Sequence, residues 1–179
     1  MRDFEDYCWR DLASDEMRAI YSAYVRERKL GARPALVVVH PGEPVRDRAW
    51  PPAAARLLGE ARRRRVPVIH SVAPGSAPVE ALYSKDEELC ARPCESAFFS
   101  SDLERRLKMR GARSLLVCGA PTSGALRATA VEGKSYGYKV AIAEETVGDE
   151  SRFLHKMALF DVAHKYADVM SLDELLAQL

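Results

Sequence analysis

This chain has no apolar run approaching the roughly 20 residues that a bilayer-spanning helix requires, so no segment is expected to cross a membrane as a helix. Neither sign of charge dominates: 27 Lys and Arg stand against 26 Asp and Glu, and a net charge of +1 gives nucleic acid or an anionic membrane no electrostatic handle. The opening MRDFEDYCWRD is charged and lacks the apolar core of a secretory signal, so a cytoplasmic location is expected. Cysteine and histidine are scarce. The cysteines at 8, 90, 94 and 118 and the histidines at 40, 70, 155 and 164 show none of the paired spacings that mark zinc, so neither a metal nor any other cofactor is expected, and a disulfide framework is equally uncalled for. Repeats, low-complexity tracts and linkers are missing too. With 179 residues the chain is expected to form one globular domain: an N-terminal arm and helix over 1–30 and the main body over 31–179.

What is present is an alternation of short apolar runs and amphipathic stretches. ALVVV (35–39), VPVIH (66–70), SLLVC (114–118) and YKVAIA (138–143) are short, rich in β-branched residues and bounded by turns, as strands covered on both faces are. Between them, PPAAARLLGEARRRR (51–65) starts on prolines and closes on arginines, both suited to helix ends. Its arginine tract reads as a solvated helix terminus rather than a phosphate patch. SDLERRLKMRG (101–111) begins as a capping box of Ser101 with Glu104, and SLDELLAQL repeats that box with Ser171 and Glu174. A further helix is expected from about Asp15 to Lys29, behind a capping Ser14. The segment from Ser71 to Cys94 has no sustained period and reads as a loop with at most one short element. This order predicts an α/β fold of three layers, α/β/α, with a mostly parallel sheet and helices on both faces.

One stretch asks for a chemical reason. GAPTSGALRATA (119–130) is a small-residue bend between a strand and a helix, a device that aims backbone N–H groups and a helix N-terminus at an anion or a developing oxyanion. Position 125, where the helix would present a side chain to that point, is an alanine. The other reactive residues nearby have plainer readings: Cys118 as a small core residue, Thr122 and Ser123 as hydroxyls bonding the backbone of their turn, Cys94 as a loop or interface residue. His40 at a strand end could serve as a general base for water. His70, His155 and His164 show no partner in the sequence and read as structural.

Taken together, RPALVVV, VPVIHS, ESAFFSSDLERRL, GARSLLVCGAPTSGALRATAVEGKSYGYKVAIAEETVGD and ALFDVAHKYADVMSLDELLAQL resemble the isochorismatase-like cysteine hydrolases, nearest the N-carbamoylsarcosine amidohydrolase branch. The resemblance runs through most of the chain and is poorest over 41–65 and 72–91. It implies a Rossmann-like topology and a triad: an aspartate ending the first strand, a lysine just before the S-A-F segment, and a nucleophilic cysteine at the helix start after the turn. In such a triad the aspartate takes the thiol proton, the lysine favours the charged pair, and the helix end lowers the thiol pKa and receives the oxyanion. Here those positions hold His40, Arg92 and Ala125. All three are changed.

A methyl group cannot attack a carbonyl carbon, so the expectation is a family member that has lost amide-hydrolase activity. The alternatives are an amide hydrolase with a rearranged mechanism, and a small-anion-binding module that uses the vestigial pocket. That pocket is expected to be electropositive, lined by His40, Arg92, Ala120, Pro121, Thr122 and Ala125, unless Arg92 turns outward or pairs with Glu95. The family turn is also similar to ones with a cis peptide ahead of the nucleophile, which puts a cis bond at Ala120–Pro121. The expected partners are copies of this chain or an active homologous hydrolase. Phe4, Tyr7 and Trp9 in the arm are expected to anchor that interface, for want of local sequence to bury them.

Overall fold

The computed structural model describes residues 6–21, 27–47 and 49–179. The apolar runs become strands of one sheet: β1 (Pro34–Val39), β2 (Val68–Val72), β3 (Glu88–Ala91), β4 (Ser114–Gly119), β5 (Lys139–Ala143) and β6 (Asp168–Met170). Their order is β3-β2-β1-β4-β5-β6, and every neighbouring pair is parallel. Such connections need crossovers, supplied here by α2 (Trp50–Arg63), α3 (Leu103–Met109), α4 (Arg127–Ser135) and α5 (Arg152–Lys165), with α1 (Asp15–Tyr21) before the sheet and α6 (Leu172–Gln178) after it.

Two cores flank the sheet because side chains alternate along each strand. Val37, Val39, Leu115 and Val117 face one way, into a core with Leu107, Leu159 and Val162. Leu36, Val38, Leu116 and Cys118 face the other, against Leu57, Leu58 and Leu175. The expected three-layer α/β/α architecture is therefore present, with Cys118 a core residue as read from sequence. Burial pushes its thiol up to about 12.

Several elements depart from expectation. The segment 71–94 contains β3, whose register is set by β2, Ile69 opposite Glu88 and Ser71 opposite Cys90, rather than by any period of its own. Ser101 does not cap α3. Its hydroxyl donates to the Ala97 carbonyl oxygen at 2.5 Å and accepts from the Leu103 N–H, and the residue before the helix is Asp102. The box on α6 does form: Ser171 Oγ accepts from Glu174 N–H at 3.2 Å while Glu174 accepts from Ser171 N–H at 2.8 Å. The helix expected to reach Lys29 ends earlier. Residues 22–26 lie outside the described residues, and from Glu27 the backbone is not helical, its donors being taken elsewhere. Lys29 N–H goes to Asp168 and Leu30 N–H to Gln178.

The arm is the larger correction. Tyr7 and Trp9 are 3% and 0% exposed, stacked on each other at 4.8 Å, with Trp9 edge-on to Phe160 of α5. They belong to the chain's own core, so they cannot anchor a partner. Phe4 lies outside the described residues.

Candidate functional site

In a sheet of this order the chain leaves β1 towards one side and β4 towards the other, which opens a crevice at the carboxyl ends of these two strands. Gly119 makes the close approach there possible. Its φ is +121°, and a Cβ at this position would lie 1.9 Å from the Val39 carbonyl oxygen. The next bond, Ala120–Pro121, is cis, as the family resemblance implies. A single wide helical turn follows over Thr122–Leu126, closed by Leu126 N–H to the Pro121 carbonyl at 3.2 Å, and runs directly into α4.

The first donors of this turn are taken within the protein. Thr122 N–H donates to the Gly148 carbonyl at 2.8 Å, and Ser123 N–H donates to the buried carboxylate of Asp149 at 2.7 Å. A carboxylate thus already meets the positive end of the helix. The Thr122 hydroxyl turns the same way, within 2.9 Å of both the Gly148 oxygen and His155 Nδ1. Thr122 therefore ties α5 to the turn and does not line the cleft. Ala120, fully buried, also belongs to the core rather than to a binding surface.

The cleft itself has a volume of about 490 Å³, and the turn contributes Pro121 and Ala125 to it. Arg92 enters from the end of β3, itself 5% exposed. Its guanidinium is held by carbonyls, donating from Nη1 to Cys94 at 2.9 Å and from Nη2 to His40 at 3.1 Å, while the buried Nε–H finds no acceptor. Burial lowers its pKa, partly offset by the nearby Glu95 charge. Arg92 neither turns outward nor forms an ion pair with Glu95 among the described residues. Glu95 instead bends over the turn, one carboxylate oxygen 3.0 Å from where a Cβ on Gly124 would stand. Glu43 and Glu150 complete the charged lining, and Glu150 is paired with Arg46 at 2.5 Å. The expected electropositive remnant is therefore not found: three carboxylates share the cleft with one guanidinium.

His40 is the other correction. It directly follows β1 and is fully buried, but both ring nitrogens are engaged away from the cleft. Nδ1 accepts from Val79 N–H at 2.9 Å, and Nε2 lies 2.8 Å from His70 Nδ1. His70 Nε2 in turn lies 2.8 Å from Glu87 Oε2, and Arg62 grips that carboxylate at 2.9 and 2.7 Å. The Val79 N–H assigns the protons along this chain. It obliges His40 Nδ1 to be bare, so the His40 proton is on Nε2 and points at His70 Nδ1, which must then be bare as well. Both imidazoles are neutral in this arrangement, since a proton on His70 Nδ1 would face the Nε2–H of His40.

The electrostatics agree with that assignment. Burial, with smaller contributions from His70 and Arg92, lowers His40 to about 3. Burial also lowers His70, against the pull of Glu87. Burial acts to raise Glu87, but hydrogen bonds from Arg62 and His70 outweigh it and bring it to about 2. A base whose two nitrogens are committed and whose pKa lies this low is poorly placed to take a proton from anything in the cleft.

Of the six expected pocket residues, then, the fold gathers Arg92, Pro121 and Ala125, and sends His40, Ala120 and Thr122 elsewhere. The partners of three histidines were not visible in sequence: His70 meets His40 and Glu87, His155 meets Thr122, and His164 meets Tyr21. Glu43 and Glu150 carried no signal at all, lying in turns with no motif. Cys94 is exposed and outside the cleft lining. Among the described residues, no group of three or more His, Cys, Asp and Glu side chains is arranged to hold a metal ion, and no helix is long and apolar enough to cross a membrane.

A doubly wound parallel sheet with a cleft at its switch point defines an open α/β scaffold of the ligand-binding type, and comparison with known proteins identifies its family. The family described as the isochorismatase domain matches residues 38–174, and the chain belongs to that family. It is 32% identical to maleamate amidohydrolase of Pseudomonas putida over 120 residues, 65% of this chain and 56% of that protein. It is also 32% identical to N-carbamoylsarcosine amidase of an Arthrobacter species over 84 residues, 47% of this chain and 32% of the amidase. The matches thus span about half or less of these curated relatives. In three dimensions an isochorismatase family protein from Burkholderia thailandensis superimposes with a TM-score of 0.77 at 22% identity, covering 85% of this chain and 98% of that one.

Proposed function

We propose that this chain is a non-catalytic member of the isochorismatase family, acting as a subunit or partner of an active amidohydrolase in the cytoplasm. One observation carries the reading: where the family resemblance places a thiol, the cleft presents the methyl group of Ala125, and no Cys, Ser, Thr, Lys or His is among the described residues that line it. The committed ring of His40 supports it further, since the position expected to supply the base is turned into the flank of the sheet. Residues that act as a unit lose their effect as a unit. For assembly, the support comes from α5, where Phe153, Leu154 and Met157 lie within two turns and are 60%, 47% and 44% exposed.

A second reading, an amide hydrolase with a rearranged mechanism, draws on Glu95, whose carboxylate overhangs the turn and could activate a water. Ammonia release from maleamate, nicotinamide and N-carbamoyl amino acids separates the two. The expected result is the buffer rate for every amide. Turnover that survives Ala125→Gly and disappears with Glu95→Gln would establish the second reading and end the first. The partner role is tested by sedimentation with and without a homologous hydrolase from the same cell. A monomer at micromolar concentration that binds no such hydrolase would remove it.

A further inference from the structure

The charges in the cleft do not cancel in pairs. Arg92 has five N–H donors, of which two are used, by the Cys94 and His40 carbonyls, leaving three without acceptors, among them the buried Nε–H. A guanidinium 5% exposed with no ion-pair partner among the described residues is a standing demand for an anion. Across the same space, Glu43 and Glu95 have no hydrogen-bonded or ion-paired cation among the described residues, whereas Glu150 has Arg46. Among the described residues, Arg92 in the lining and Arg46 paired with Glu150 stand against Glu43, Glu95 and Glu150, a net charge of −1.

Neither kind of simple ion fits this arrangement. A lone carboxylate or phosphate that met Arg92 would sit beside Glu95 and Glu43 with nothing to offset them. A lone ammonium would meet the glutamates and leave the Arg92 donors unanswered, next to a fixed positive charge. A molecule carrying both charges answers both demands. We infer that the cleft is a binding site for a small zwitterion, with its carboxylate drawn to Arg92 and its ammonium to Glu95 and Glu43. About 490 Å³ is the size of a small-molecule site, and Pro41, Pro44, Val45, Ala73 and Pro121 give its walls the apolar surface that would cover the carbon chain between the two charges. The inference rests on the non-catalytic reading in one respect: with a methyl group at position 125, a bound ligand would be held rather than turned over.

Calorimetric titration of the full chain at pH 7 and low ionic strength tests it, with glycine, β-alanine and 4-aminobutanoate as zwitterions of increasing span, and propionate and propylamine as single-charge controls. At least one zwitterion is expected to bind tenfold or more tightly than either control. Glu95→Gln, at an exposed position, is expected to reduce that margin at least fivefold by weakening the zwitterion and leaving propionate no weaker. Arg92→Lys is expected to retain the preference and Arg92→Met to lose it, with circular dichroism showing that each variant folds. If propionate or propylamine binds as tightly as the best zwitterion, or if no zwitterion binds more tightly than the controls, the inference is overturned. Ammonia release measured in the same samples reports on the other claim. Turnover with zwitterion binding intact would sink the non-catalytic reading alone, while absent binding with absent turnover would sink this one alone.

Discussion

At the scale of single residues, the most informative atom is the Cβ of Ala125. A thiol placed there by Ala125→Cys would be in a position only 1% exposed, while the His40 ring is committed to Val79 and His70. With the expected base position committed elsewhere and burial opposing the thiolate, that variant is expected to hydrolyse amides at the buffer rate and to react slowly with iodoacetamide at pH 7. Adding His40→Asp and Arg92→Lys is expected to raise alkylation at least tenfold over the single variant. Equal rates would show that the helix end, not the triad, controls thiol chemistry here. The three positions were legible in the sequence because each stands next to a motif. What the sequence did not disclose was where their side chains point, since a strand-end residue can face either flank and only the neighbouring His70 and Val79 settle it.

Among the elements, β1, β2 and the segments carrying Val79 and Glu87 are fastened together by the histidine pair, and this linkage makes stability depend on pH. The folded chain holds His40 near 3, whereas the unfolded chain binds that proton near the ordinary value of 6.5. Between these values the unfolded state carries the extra proton. The stabilisation is therefore complete above pH 6.5 and is lost as the pH falls towards 3, with a slope of up to about 1.4 kcal/mol per pH unit for each such histidine. His70, lowered in the same direction, adds to the upper part of this window. Urea unfolding is expected to show the protein less stable at pH 5 than at pH 7 by about 2 kcal/mol, and His40→Gln is expected to flatten that difference. Equal stabilities at the two pH values would mean that the pair is not neutral and buried as described. Four strands and the capped α6 were readable from periodicity and end signals alone. β3 was not, because ELCA has no pattern of its own and becomes a strand only by pairing with β2.

For the molecule as a whole, the arm changes the account of assembly. Tyr7 and Trp9 fill the core beside Phe160, so removing them acts on folding rather than on association. Trp9→Ala is expected to cost about 3–5 kcal/mol in chemical denaturation, the range for deleting a buried aromatic side chain. Its sedimentation under native conditions should match that of the parent protein. A variant of unchanged stability that sediments as a smaller species would return the arm to an interface. Reading the sequence alone, the arm looked too short to bury three rings. The surface that receives two of them is built from residues about 150 positions further along, which no local pattern reveals.

The sequence by itself determined the alternation of elements, the parallel sheet, the small-residue bend, and the absence of a nucleophile at position 125. These follow from side-chain period, from the backbone preferences of glycine and proline, and from residue identity, all of which are local. Only the tertiary structure decided that His40 faces His70 instead of the cleft, that Thr122 belongs to His155, and that three glutamates from separate turns gather around Arg92. The physical reason is that a hydrogen bond or a charge balance needs two groups within a few ångströms. His40 and His70 lie 30 residues apart along the chain and Thr122 and His155 lie 33 apart, and only the packing of the crossovers brings them together.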